Sequence, residues 1–212
     1  MQATEQRRIR RWLPWLLSLT LLGGCGGQRL VREDDYLKPA APVTRSTLPA
    51  PVLGGILVVE PLSAQAIYHG RALVRARTPR ALVLRRDRYR FWVDEPARLL
   101  QGRLVRYLQA VGVARQVTWP QPEIDPDFAL RGQVLGFDAV MQDGRLQGVR
   151  VALRVTLVRV ASSELLLDRR FEYYQAAGAG ASLPVLFGQA LDHLGRQLVQ
   201  GIRTRRLARR TD

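Results

Sequence analysis

Few residues in this chain are of a type and in a pattern that could do chemistry. Cys25 is the single cysteine, and it follows Leu22-Gly23-Gly24. One thiol closes no internal disulfide and builds no Cys-rich zinc site; it is either a buried, inert residue of a short hydrophobic anchor or an acceptor of a covalent group. His69 and His193 each lack a sequence-local partner. Neither reads as a general base, because a catalytic site needs a nucleophile, a base and a stabiliser held together. Glu123, Asp125 and Asp127 share a Pro-rich loop. A solvated turn fits them better than a cation site, since calcium takes about six to eight oxygen ligands. Ala176 to Ala181 (AAGAGA) lacks the Lys and the spacing of a phosphate loop, and it reads as a hinge or connector. No catalytic residue, metal or cofactor is expected, and the chain is not expected to be an enzyme.

Arginine is the other chemical signature. Lys+Arg number 33 against 18 Asp+Glu, giving a formal net charge of +15, and Lys38 is the only lysine. A GC-rich genome alone would give that bias. Arg is also the better side chain for bidentate phosphate contacts. Arg85 to Arg90 and the tail residues Arg203, Arg205, Arg206, Arg209 and Arg210 are candidates for contact with an anionic membrane or an acidic partner. By itself such a basic excess points to nucleic acid, so its compartment decides the partner.

The N-terminus supplies the compartment. Arg7, Arg8, Arg10 and Arg11 precede an apolar run from Trp12 to Leu22, in the order of a secretory signal. The run is shorter than the ~20 apolar residues that span a bilayer. Leu22 to Cys25 resembles the bacterial lipobox, a signal in which the chain is cut before a Cys that carries acyl chains. Residues 1–24 are therefore expected to be a lipoprotein signal peptide and Cys25 the lipid attachment point. Each buried CH₂ adds ~0.8 kcal/mol, so several acyl chains hold a protein firmly. Gly26 and Gly27 follow the Cys, with no Asp of the kind that resembles an inner-membrane retention signal. The expected place is the outer membrane, on its periplasmic face. Loss of four Arg and Glu5 with the signal lowers the formal charge from +15 to +12. Export makes nucleic acid an unexpected partner.

These residues need a scaffold, and hydropathy outlines one. With Pro39, Pro42, Pro49 and Pro51, residues 25–55 read as a lipidated Cys and a Pro-rich tether, extended at ~3.1 Å per residue. A folded domain is expected over 56–203 and a basic tail over 204–212. Ile56 to Val59 reads as a buried strand. Leu73 to Arg77 and Ala81 to Arg85 flank a turn at Thr78-Pro79-Arg80, and Arg88 to Val93 reads as a further strand. Asp94-Glu95-Pro96 opens a helix with its apolar stripe at Ala97, Leu100, Leu104, Leu108 and Val111; Gly112 ends it. Arg98, Arg103 and Arg106 are expected on its wet face. Phe128 to Val140, a run alternating from Val149 to Leu157, and Leu165 to Tyr174 form an antiparallel meander, with Asp143-Gly144 as a hairpin turn. Ser182 and Pro184 open a last helix, striped by Phe187, Leu191, Leu194, Leu198 and Ile202. The fold class is α+β: a mixed sheet with a C-terminal antiparallel meander and two amphipathic helices.

From Leu57 to Ile202 the chain resembles the ABC-type transport auxiliary (PqiC-like) lipoproteins. The resemblance rests on the order of short motifs. These are the strand Ile56 to Glu60, the strand Leu73-Val74-Arg75-Ala76-Arg77, the helix opening Trp92-Val93-Asp94-Glu95-Pro96, the strand end Arg169-Arg170-Phe171, and Gln189-Ala190-Leu191 in the last helix. It implies an auxiliary subunit of an MCE/ABC-type intermembrane lipid transport system. An ATPase and permease would stand in the inner membrane, and the lipoprotein would dock a periplasmic MCE-domain assembly at the outer membrane. A homo-oligomeric ring is one arrangement that relatives suggest. Arg77 and Trp92 are the candidate positions on which fold or interface depends, Trp92 more as core. The alternative is an outer-membrane lipoprotein that activates a cell-wall synthase, and a third reading is a stand-alone lipid carrier.

Overall fold

The computed structural model describes residues 33–41 and 47–208, with side chains to Thr204. From Asp34 on, the chain forms one compact unit. Its elements are β1 (Asp35–Leu37), β2 (Leu53–Val59), β3 (Ser63–Ala64), a 3-10 turn (Ala66–Tyr68), β4 (Ala72–Ala76), β5 (Leu84–Trp92), α1 (Pro96–Val111), β6 (Ala114–Thr118), β7 (Phe128–Gln142), β8 (Arg145–Arg159), β9 (Glu164–Ala176) and α2 (Leu183–Ala208).

The long strand β7 organises the sheet. One edge pairs antiparallel with β8, and β8 with β9, giving the expected meander. The other edge is shared by three parallel neighbours in succession. β2 takes Phe128 to Leu130, β3 takes Gln133 and Val134, and β4 takes Asp138 to Val140. β6 lies beyond β2, and β5 then β1 lie beyond β4. Fifteen residues in one strand make this possible, since each short partner needs only two or three rungs.

Sequence dictates the local geometry. Asp143 and Gly144 have φ of 50° and 76°, both positive as a type I′ hairpin turn requires. Gly112 has φ 72° and donates its N–H to Leu108 and Gln109, which stops α1. Glu95 is the N-cap of α1 and makes no side-chain cap bond; Pro96 occupies the first turn. Val149, Val151, Leu153, Val155 and Leu157 of β8 are buried under the helices. The opposite face carries cross-strand ion pairs such as Arg154–Asp168 and Arg150–Glu172. The Arg154–Asp168 pair is solvent-exposed and screened, so it adds little to stability.

Four expectations are corrected. The tether does not run to residue 55. Asp35–Leu37 pairs in parallel with Arg90–Trp92 as an edge strand. The Ala40 N–H then bonds the Pro184 carbonyl, and the Leu48 N–H bonds the Val111 carbonyl. Unpaired N–H and C=O groups at the sheet edge and at the helix end recruit this segment. Second, the basic tail does not begin at 204, because α2 continues to Ala208. Third, Arg103 is not on a wet face. It is 4% exposed and sits between α1 and α2. Arg98 and Arg106 are exposed. The runs read as separate, Ala81 to Arg85 and Arg88 to Val93, join into the single strand β5.

Candidate functional site

Cys25 lies outside the described residues, as do the side chains of Arg205, Arg206, Arg209 and Arg210. Arg203 is exposed near the end of α2. Trp92 is fully buried, with its ring centroid 4.9 Å from Phe137 and 4.7 Å from Phe187. β5, β7 and α2 each contribute one ring, so this cluster joins the sheet to the last helix. Among the described residues the Trp92 indole N–H finds no acceptor. Trp92 therefore acts on the fold rather than at a surface.

The other singled-out groups have structural partners. Asp127 Oδ2 accepts the Ile56 N–H at 2.7 Å and tethers the 120s loop to β2. His69 Nε2 lies 2.9 Å from the Ala64 carbonyl. His193 stacks on Tyr173 at 3.7 Å between centroids. Burial, and then the Arg196 charge, hold its imidazole below the usual histidine range. Among the described residues no group of three or more His, Cys, Asp and Glu could hold a metal ion.

Two buried polar networks escaped the sequence reading. In the first, Arg103 Nη2 donates to Asp192 Oδ1 at 2.7 Å and to the Gly188 carbonyl at 3.0 Å, and Nη1 donates to the Ala40 carbonyl. One guanidinium thus clasps α1, α2 and the N-terminal segment. Burial pulls its pKa down, and Asp192 opposes that. The signal was present: Arg103 lies about 60° from Leu100 on a 3.6-residue wheel, at the rim of the apolar stripe. In the second, Asp138 is fully buried in β7. Tyr68 Oη donates to Asp138 Oδ1 at 2.7 Å, and Arg150 Nε donates to Asp138 Oδ2 at 2.8 Å. Arg150 also reaches Glu172 at 3.0 Å. Burial pushes the Asp138 carboxyl up, while Tyr68 and Arg150 pull it back. This network fastens the 3-10 turn to the sheet.

An open cleft of about 830 Å³ lies between the β4–β5 loop and the β7–β8 hairpin. Arg75, Arg77, Arg80 and Arg85 line it together with Leu82, Val83 and Met141, against the single acid Asp143. Arg77, the sequence candidate, is exposed here. Arg75 and Arg85 stand opposite each other in the β4–β5 register. Arg75 is relieved by Asp87, 3.3 Å away. Asp87 is buried, which pushes its carboxyl up. The N–H groups of Tyr89 and Arg90 and the charges of Arg75 and Arg90 outweigh that and hold it below the usual carboxylate range. Of the Arg85–Arg90 run, Arg85 lines the cleft. Arg86 instead bonds the Ala66 and Ile67 carbonyls.

Solved structures share this fold. A protein from Xanthomonas campestris of the DUF330 family has the same fold, with TM-score 0.68 at 19% identity, over 84% of this chain and 99% of that one. An uncharacterized protein matches with TM-score 0.58 at 17% identity, over 81% and 97% of the two chains. A hypothetical protein from Chlamydia trachomatis matches with TM-score 0.50 at 10% identity, over 73% and 99%. No curated protein sequence matches the chain. The model of the family described as "ABC-type transport auxiliary lipoprotein component" matches residues 36–199. That span runs from β1 into α2 and takes in the whole sheet, the Trp92 cluster and the Arg103 clasp. The chain belongs to the ABC-type transport auxiliary lipoprotein family.

Proposed function

We propose that this protein is a non-enzymatic lipoprotein, anchored through Cys25 in the outer membrane and facing the periplasm. It docks the MCE-domain assembly of an intermembrane lipid transport system whose permease and ATPase stand in the inner membrane. The observation that carries this reading is the family match over residues 36–199. The Leu22-Gly23-Gly24-Cys25 signal in front of the matched span supports the anchor. No helix of the described residues is long and apolar enough to cross a membrane, so acylation is the attachment this reading relies on.

Two experiments test it. Globomycin treatment or Cys25→Ser should leave the unprocessed precursor, and the native chain should fractionate with the outer membrane. Affinity capture of the full-length chain from detergent-solubilised envelope should recover an MCE-domain protein. Recovery of a cell-wall synthase without any MCE-domain protein would overturn the transport reading.

A further inference from the structure

We propose that the β4–β5 loop, residues 77–83, and its cleft form a second membrane contact, a site for an anionic phospholipid surface. The proposal goes beyond docking, because it gives the folded domain its own lipid contact whether or not a partner protein is present.

Three observations meet at this loop. Leu82 is 100% exposed and Val83 68% exposed, side by side at the tip. Scattered exposed apolar residues are ordinary, but here a fully exposed Leu and a largely exposed Val stand side by side in one loop. Arg77, Arg80 and Arg85 surround the pair, and among the described residues none of the three makes an ion pair. Arg85 also stands directly across from Arg75. Asp87 already offsets the charge of Arg75, so the unpaired cations of the cleft are Arg77, Arg80 and Arg85 among the described residues. The cleft behind the tip is open and carries one acid against four arginines.

This chemistry matches a lipid surface better than an acidic protein. A bilayer interface presents phosphates at one depth and acyl chains just below, so guanidinium groups meet the first while Leu82 and Val83 enter the second. A protein partner would need a pocket shaped to the fully exposed Leu82; a fluid interface needs none.

Amide exchange of the full-length chain on vesicles is the test. The acyl anchor holds the chain on phosphatidylcholine vesicles with or without phosphatidylglycerol, so the difference between the two reports the loop. Co-sedimentation with both reports the anchor separately. Exchange across residues 77–85 should slow severalfold on the phosphatidylglycerol vesicles only. Raised salt should reverse it. Replacing arginines should lower the docked-to-free ratio about fivefold each, and on the order of a hundredfold for R77Q/R80Q/R85Q together. L82D/V83D should abolish the protection with all arginines in place. Both variants change exposed side chains, and an unchanged melting temperature will establish that they fold. Equal exchange on the two vesicle types overturns the proposal. Equal protection by inorganic phosphate alone, or by polyglutamate, would assign the cleft to a free anion or an acidic protein and overturn it too.

Discussion

The Arg103–Asp192 pair makes the sharpest test of how this fold is held. Their side chains are 5% and 9% exposed, and the nitrogen–oxygen distance is 2.7 Å. Asp192→Ala leaves a guanidinium buried between two helices without its counter-charge. Breaking a buried pair from one side costs about 3–5 kcal/mol. For a domain of this size that is roughly 6–20 °C in melting temperature. Replacing both partners (Arg103→Met with Asp192→Leu) removes the stranded charge, and such exchanges are often neutral or stabilising. Here the recovery should be partial. Arg103 also donates to the Ala40 and Gly188 carbonyls, and the Ala40 carbonyl loses a donor at a cost of about 1–3 kcal/mol. Urea denaturation of the three chains measures the cost, and amide exchange at Ala40 locates it. The Ala40 N–H, bonded to Pro184, should exchange faster in both variants. An Asp192→Ala cost below about 1 kcal/mol, or a double variant no better than the single one, would refute the claim that burial makes this pair matter.

Other consequences follow from the packing and the titratable groups. Trp92→Ala should cost about 3–5 kcal/mol, seen as a lowered urea midpoint and a lost near-ultraviolet signal. Trp92→Phe should cost much less, because it also removes the unpaired indole N–H. Asp87 has a depressed pKa, so its contribution is present above about pH 4 and is lost as pH falls through the folded value. Asp87→Asn should flatten that acid-side slope in a series of urea midpoints against pH. His193 is also depressed, so its neutral form contributes above about pH 6.5, and stability falls as pH drops below that. His193→Phe should keep the stack on Tyr173 and remove that step.

What could be read in the sequence was whatever local periodicity encodes. The β8 alternation, the Asp143-Gly144 turn and the Gly112 stop are each set by a few neighbouring residues, and each stands where expected. The misplaced parts all depend on distant residues. Asp35-Tyr36-Leu37 is too short and polar to announce a strand, and it becomes one only because β5 offers it an edge. Arg103 reads as surface until Asp192, 89 residues on, meets it. The cleft needs β4, β5 and the β7–β8 hairpin side by side, and no window of sequence contains all three. Two of its lining arginines stood out in the sequence, Arg85 in the Arg85–Arg90 run and Arg77 at a strand end.

A shorter tether would change what an anchor at Cys25 can do. An extended linker over residues 26–55 would reach about 90 Å at ~3.1 Å per residue. With β1 starting at Asp35 and Ala40 held by Arg103 and Pro184, only about ten residues separate Cys25 from the sheet. Their greatest reach is about 33–36 Å, similar to the ~30 Å thickness of a bilayer's hydrocarbon core. If Cys25 is acylated, the domain is confined to the layer next to the membrane and cannot range across the periplasm. Confinement raises the effective concentration of lipid at every exposed loop, so a weak contact through Leu82, Val83 and three arginines would be enough to orient the domain. Inserting a flexible Gly/Ser segment between Cys25 and Asp34 tests this directly. The insertion should leave the fold and the anchor intact but weaken the loop's protection on anionic vesicles. Unchanged protection would mean that proximity contributes nothing.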